Sequence, residues 1–556
     1  MSASARTAAA SLLAAALVCG AHGSAWASAA SARPPVPAAV VAPDSSAGNL
    51  DALEGHRIRR IDIAARNIFD PLPHGRLRGA YRLANALHIR TRESTVRELL
   101  LLQRGDLWTA ERAAETIRRL RELEFLIPER LEARLMNDSV DVTVRTVDTW
   151  TTSPQFDLQR SGTTQFSTVA VAEGNVLGHG KSVSVAYHQD ETGVTRSIEW
   201  NDPAFLGSRA QIDFGAARGA SGKAYNADAG VRFLAPSTPH EYFADTRSIE
   251  GIDRLYSFGA ETANLDVRRE ETEAMWGIGR ESDGLVRRGV MSFAVIDRHL
   301  GPTRTLTPGP PEFQGGDERL RLRRVALEGL WWRPRYIERT GVNRMDRIED
   351  FDVGLRLGLK LGVSPRFLGS TADEGYTRAS ADIGIPDENA FGLFHASFET
   401  WYRRAVRDEI QNLSGRWVAP LGGKQTLVVS AVRLAGYDVS RDFQITAGGL
   451  TGLRAYAVHE LTGTRLLRLN AEDRWNGPEF WELVSLGAAV FYDAAHMRGP
   501  GADGTPWRHD AGIGLRLAFP RSALDQVLRF DVAIPIDPVR SSERRPVLSF
   551  GSSQAF

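Results

Sequence analysis

Three residues toward the C-terminal end have types and spacing suited to buried ion-pair chemistry: Arg454, Glu472 and Asp493. Arg454 lies in ITAGGLTGLRAYAVHE, a segment too hydrophobic and glycine-rich for a solvated loop. In the following RLLRLNAEDRW, Leu467, Leu469, Ala471 and Trp475 alternate with Leu466, Arg468, Asn470, Glu472 and Arg474. Successive side chains of a strand point to opposite faces, so Glu472 belongs to the polar face. The same phase in LVSLGAAVFYD sends Val484, Leu486, Ala488, Val490 and Tyr492 one way and Ser485, Gly487, Ala489, Phe491 and Asp493 the other. Two consecutive strands therefore aim a carboxylate to one side. An arginine folded against that side can fork onto both acids through bidentate, charge-assisted hydrogen bonds, which would fix the loop that carries it. The competing reading is a surface loop with three unrelated charges. Asp473 falls in the apolar phase and is expected near a water interface.

Other chemistries find little footing. The chain has no G-x-S-x-G, H-E-x-x-H or phosphate-binding loop, and its twelve histidines are scattered without metal-ligand spacing. His459-Glu460 reads as lumen or loop polarity. The expectation is a protein that is not an enzyme and needs no cofactor or metal. Formal net charge is zero and the arginines are dispersed, so no field points to nucleic acid. Cys19, the one cysteine, lies inside an N-terminal segment read as a signal peptide over residues 1–27: Arg6, the apolar run Ala8 to Val18, then Ala25-Trp26-Ala27. A mature chain without thiols fits export and leaves no disulfide, thiolate-metal or cysteine-nucleophile chemistry.

The elements that must position Arg454 and the two acids follow from the same alternation. In FDVGLRLGLKLGV, Val353, Leu355, Leu357, Leu359, Leu361 and Val363 are apolar, whereas Asp352, Gly354, Arg356, Gly358, Lys360 and Gly362 are charged or lack a side chain. From Gln155 onward such segments recur between Gly/Pro/Asp-rich connections, and no run is long and apolar enough for a spanning helix. A greasy outside around a polar inside is the requirement of a transmembrane antiparallel β-barrel, which satisfies the backbone in lipid by closing on itself. About 25 residues per strand-plus-connection predicts about 16 strands over 155–556. Trp331, Trp332, Trp401, Trp417, Trp475 and Trp481 are expected at the interfacial girdles.

Ahead of the barrel, residues 28–55 read as an Ala/Pro/Ser-rich flexible linker. Residues 56–150 read as a small α+β domain of order β-α-α-β-β. Ile58, Ile61 and Ile63 mark its first strand, followed by an ambiguous segment at Leu77 to Leu87. STVRELLLLQRGD is expected to be a helix stopped by Gly105. A second helix is capped by Thr109, with Ala113, Ile117, Leu120 and Leu123 on one face. Strands at Leu131/Ala133/Leu135 and Val140/Val142/Val144 complete the domain.

GGLTGLRAY resembles the long-loop motif of the outer-membrane protein assembly and two-partner-secretion superfamily, the bacterial surface antigen barrels of BamA/TamA type. Arg454 falls on the motif arginine, with Gly448, Gly449 and Tyr456 around it. LNAEDRW is similar to the following strand, its acid at Glu472, and FYDAA (491–495) to F-x-D-x-G, its acid at Asp493. GNVLGHGKSVSVAYH (174–188) resembles the first barrel strand and NDPAFLG (201–207) the turn region after the second. HDAGIGLRL and RFDVAIP resemble closing strands ahead of Phe556, which matches a C-terminal export signal. The 56–150 domain resembles a polypeptide-transport-associated (POTRA) domain. Alanines replace both motif glycines, at Ala455 and Ala495, and a single POTRA-like module points to a paralogue of the central assembly factor.

The resemblance implies a barrel in the outer membrane with its N-terminal domain in the periplasm, acting in insertion, assembly or translocation of client proteins. Arg454, Glu472 and Asp493 would lock the long loop inside the barrel. The implied partners are nascent or unfolded outer-membrane or secreted polypeptides met through the POTRA-like domain, accessory lipoproteins, and the lipid bilayer. The alternatives are a two-partner-secretion transporter for one dedicated protein, or a passive porin.

Overall fold

A computed structural model describes residues 41–43, 50–161, 164–257, 259–403, 405–449, 451–500, 502, 505–523, 527–537, 545–552 and 554. The segment read as a signal peptide and most of the linker lie outside these residues.

The N-terminal domain is a four-stranded sheet under three helices. Its elements are β1 (Val41–Pro43), β2 (Arg57–Arg66), α1 (Arg78–Leu87), α2 (Glu93–Leu99), α3 (Ala110–Arg121), β3 (Leu126–Met136) and β4 (Ser139–Asp148). Sheet order is β1-β3-β4-β2. Val140, Val142 and Val144 on the inner face of β4 are buried against Ile58, Leu131 and Ala133 and against Ile117 and Leu120 of α3. The Thr109 hydroxyl accepts from the Arg112 N–H at 3.2 Å and Glu111 occupies the first turn, so α3 starts where the cap expected it to.

Three details differ from the sequence reading. The ambiguous segment is a true helix, α1. Helix α2 ends at Leu99 rather than running to Gly105, because Leu100, Leu101 and Leu102 are all buried in an extended stretch that a helix could not bury together. Part of the linker is ordered as β1, which pairs in parallel with β3 from Val41↔Leu131 to Pro43↔Ala133.

The remainder forms a closed antiparallel barrel of twenty strands, not about sixteen. The first is Thr152–Ser161 and the twentieth Val547–Gly551, and they pair with each other to close it. The connections are shorter than the expected spacing allowed. Glu191-Thr192 joins the third strand (Ser182–Asp190) to the fourth (Gly193–Asp202), with the Asp190 carboxylate accepting the Thr192 and Gly193 N–H groups. Consequently GNVLGHG leads into the third strand, not the first, and NDPAFLG leaves the fourth, not the second.

The alternation in FDVGLRLGLKLGV appears as a surface: Leu355, Leu357, Leu359, Leu361 and Val363 of the eleventh strand (Leu355–Ser364) are exposed on the barrel exterior. Val353 is instead buried below it. Among the aromatics, Trp331, Trp475 and Trp481 are exposed, whereas Trp332 is buried and donates its indole N–H to Asp352 at 2.7 Å. Trp401 packs beside the lumen cluster that contains Phe491.

Strand length varies strongly around the wall. The eighth strand (Ala260–Ser282) has 23 residues and the twentieth has 5. At the closure only Leu158, Gln159 and Arg160 are in register with Phe550, Ser549 and Leu548. The eighth and ninth strands, by contrast, pair without a break from Val267↔Leu300 to Ser282↔Leu285. Among the described residues the seam therefore has the fewest paired positions of any junction between neighbouring strands of the twenty.

The domain sits on one end of the barrel. The Arg92 N–H and the Thr95 hydroxyl both donate to Gly178 O at 3.0 Å, on the turn before the third strand. Gly178 has φ +78°, and a Cβ there would lie 2.4 Å from Arg90 O, so only glycine allows this contact. On the opposite side Tyr81 of α1 donates to Trp481 O at 2.7 Å.

Candidate functional site

The long connection after the fifteenth strand (Gln425–Tyr437) enters the barrel from the end away from the domain. Inside it forms a two-stranded hairpin, Ile445–Ala447 with Leu461–Gly463. One side of the loop is pinned to the tall wall. Asp442 accepts from Arg269 at 2.7 Å and also from Arg298, and the Gln444 amide exchanges two hydrogen bonds with the Tyr256 backbone, at 2.9 and 2.7 Å. His459 is buried and stacks on Tyr256 with ring centroids 3.9 Å apart, while Glu460 pairs with Arg508 at 3.6 Å. The His459-Glu460 pair thus anchors the loop. Gly448 has φ +141°, and a Cβ there would lie 1.9 Å from Ala457 O, so this tight turn requires glycine. The Gly449 N–H donates to Tyr456 O at 2.9 Å.

That turn delivers Arg454 to the opposite wall. Its Nε and Nη2 donate to the two Asp493 oxygens at 2.7 and 3.0 Å, a bidentate fork. Its Nη1 donates to Glu472 at 2.9 Å and reaches Asp531 at 3.3 Å, and the guanidinium carbon lies 3.3 Å from the centroid of the Phe491 ring. The Ala455 N–H donates to Asp510 at 3.1 Å and the Tyr456 hydroxyl to His509 O at 2.8 Å. Ala455 and Ala495 are both buried in the apolar cluster around this contact, so each methyl is accommodated.

Arg454, Glu472 and Asp493 are thus brought together, with Gly448, Gly449 and Tyr456 shaping the loop. Phe556 lies outside the described residues. The network is larger than the three residues first singled out. Arg516 donates to Glu472 at 3.0 Å and to Asp531 at 2.6 Å, Arg474 donates to Glu472 at 3.1 Å, and Arg529 approaches Asp531 at 3.5 Å. Four consecutive strands each aim a carboxylate inward: Glu472, Asp493, Asp510 and Asp531. The signal was present in the sequence, since the same two-residue phase runs through HDAGIGLRL and RFDVAIP. Glu472, Asp493 and Asp531 persist at this density because each is paired with arginine, whereas Asp510 is held by the Ala455 N–H.

A second element enters the barrel from the domain end, and no residue pattern in the sequence marks it off from the wall strands. Between the tenth (Glu318–Arg333) and eleventh strands, Tyr336–Thr340 pairs with Ile348–Asp352 as a separate hairpin. Its tip crosses to the far wall of the lumen. Val342 is packed with Val418 and Val428, Met345 with Ala518 and Val527, and Arg347 donates to Ser522 O at 2.8 Å. The half-buried Glu349 carboxylate accepts the N–H groups of Val342, Asn343 and Arg344, and so holds the tip turn closed.

The hairpin is tied at both ends. Arg121 of α3 donates to Glu338 at 2.9 Å and to Asp350 at 3.0 Å, and Arg118 lies 4.4 Å over the Tyr336 ring. Burial pushes the Asp350 carboxyl up to about 7, against the downward pull of Arg121. At the tip, Arg474 donates to Val342 O at 2.7 Å. Arg474 also binds Glu472, and Glu472 binds Arg454. One acid therefore joins the hairpin from one mouth to the loop from the other.

No family model matches the chain, and no curated protein matches it significantly. Solved barrels do resemble it in structure. BamA from Haemophilus ducreyi lacking POTRA domains 1-3 has 14% identity over 90% of this chain and 85% of that one, with a TM-score of 0.35. CdiB from Acinetobacter baumannii has 10% identity over 89% and 73%, TM-score 0.43. CdiB from Escherichia coli has 11% identity over 90% and 77%, TM-score 0.41. At these identities none of the likenesses assigns an activity to this chain.

Proposed function

We propose that this protein is an outer-membrane barrel that handles other polypeptides, inserting clients into the membrane or passing them across it. The observation that carries this reading is the doubly closed lumen: loop and hairpin enter from opposite ends and are joined through Glu472. A passive porin needs an open aqueous path, and two packed elements cross this one. A barrel that must open only when a client is engaged has use for such closure, and for a domain that grips one of the closing elements through Arg121.

The seam supports lateral entry. A client hairpin can enter the bilayer where the wall is held by few hydrogen bonds without exposing unpaired backbone to lipid. The domain supplies a docking edge on β2, since an extended peptide can add to an unpaired strand. That edge is partly guarded. Residues 105–108 hydrogen-bond its start, and Arg97 and Arg90 donate to Ile61 O at 3.4 Å and Ala65 O at 2.6 Å, so a client must displace two side chains. A dedicated secretion transporter is the second reading, favoured by the hairpin, which is the kind of gate a through-lumen path requires.

Depleting the protein and comparing outer-membrane and secreted protein profiles tests the proposal. Broad loss of barrels supports insertion, and loss of one secreted protein supports the dedicated transporter. Unchanged profiles in both fractions overturn the proposal.

A further inference from the structure

The fifteenth, sixteenth (Arg465–Phe480) and seventeenth (Val484–Arg498) strands carry arginines on the lipid-facing side, at the end away from the domain. Arg465 shares the outward phase of the exposed Leu467, Leu469 and Trp475, and Arg498 that of the exposed Val490 and Tyr492. Arg465 and Arg498 are direct cross-strand partners, and Arg433 lies one strand over, with Ala435 opposite Arg465. Like charges placed directly opposite on one sheet face destabilise it unless something neutralises them.

Among the described residues no carboxylate pairs with any of the three. The Arg433 guanidinium donates to Gln411 Oε1 and to the Tyr437 hydroxyl, each at 2.9 Å, and Gln411 in turn donates to Glu409 at 2.6 Å. Arg465 lies 5.7 Å over the Tyr437 ring. Three other exterior cations toward this end do have an acidic partner: Lys223 with Glu250 at 3.1 Å, Arg268 with Glu270 at 2.9 Å, His299 with Asp317 at 2.6 Å. His496, Trp507 and His509 form an aromatic row beside Arg498, with centroids 5.3 and 5.9 Å apart.

Depth decides what can meet these charges. Trp475 marks the interface at the domain end, and Arg465 is ten residues up the same strand. At ~3.4 Å per residue and a tilt of ~40°, that rise is ~26 Å, the height of the apolar band of a barrel. The arginines therefore stand at headgroup level of the opposite leaflet, with tyrosine, tryptophan and histidine rings at the boundary where such rings settle.

We propose that Arg433, Arg465 and Arg498 form a binding site for the phosphate of a phosphorylated lipid in the leaflet away from the N-terminal domain. The guanidinium forks suit phosphate oxygens, and the exposed Leu467 and Val490 beneath them take the acyl chains. The site is distinct from the lumen lock, so its failure leaves the proposed function standing.

Full-length protein is reconstituted in bilayer discs of phosphatidylcholine doped with a diphosphorylated glycolipid, or with the same lipid after phosphatase treatment. Retained lipid is then counted by native mass spectrometry. Retention should favour the phosphorylated form and fall by about fivefold per arginine in Arg465→Gln and Arg498→Gln. Arg498→Glu keeps the barrel testable, because it places a carboxylate opposite Arg465. It should raise heat resistance in neutral detergent while abolishing lipid retention. Equal retention of the two lipid forms, equal retention by wild type and Arg498→Glu, or full competition by inorganic phosphate at the lipid's concentration overturns the proposal.

Discussion

Replacing Arg454 by alanine tests the lumen lock most directly. The substitution removes the bidentate fork on Asp493, the bond to Glu472 and the contact with Asp531. Glu472 keeps Arg474 and Arg516, and Asp531 keeps Arg516. Asp493 keeps the Asn470 amide at 2.8 Å but no cation, and it stands directly across from Asp510. The loss is thus concentrated on one buried carboxylate facing another. Breaking a buried pair in this way costs about 3–5 kcal/mol. Spread over a cooperative unit of roughly 400 residues, that lowers the midpoint of heat-induced mobility change on gels by roughly 4–6 °C. Arg454→Ala/Asp493→Asn removes the stranded charge and should recover part of the loss, which a double-mutant cycle reads as coupling. Arg454→Lys should fall between, since an ammonium cannot fork. If Arg454→Ala melts within about 1 °C of wild type and the double variant melts no higher, the loop is not held by this ion pair.

Deleting residues 336–352 should turn an electrically quiet barrel into a conducting one in planar bilayers, and Arg121→Ala should produce intermittent openings; silence from the deletion refutes its role as a closure. Glu115 of α3 is pushed up to about 7 by burial, against the pull of Arg118. The folded domain therefore holds more protons than the unfolded chain between the acid's ordinary range and about pH 7, and stability falls as pH rises through that window. Glu115→Gln should flatten this slope by up to about 3 kcal/mol, measured by hydrogen exchange of domain peptides at pH 5 and pH 8. An unchanged slope removes Glu115 as its cause.

The two-residue period fixed which side chains face lipid and which face inward, because a strand offers no other choice once one face is apolar. It therefore placed Glu472 and Asp493 on one polar surface, and it would have placed Asp510, Arg516, Arg529 and Asp531 there had it been followed through the closing strands. Glycine spacing marked the loop around Arg454, since a turn with a backbone carbonyl 1.9 Å from a would-be Cβ admits nothing larger. Strand count was not legible, because connections of two residues and of twenty leave the same alternation between them. The hairpin at 336–352 was invisible for a related reason: a strand pair that turns into the lumen carries the same residue types as one in the wall. The meeting of Arg121, Glu338 and Asp350, and of Val342, Arg474, Glu472 and Arg454, joins residues far apart in sequence. Only closure of the barrel brings their elements to a common axis, and low-dielectric burial there demands that every charge find a partner.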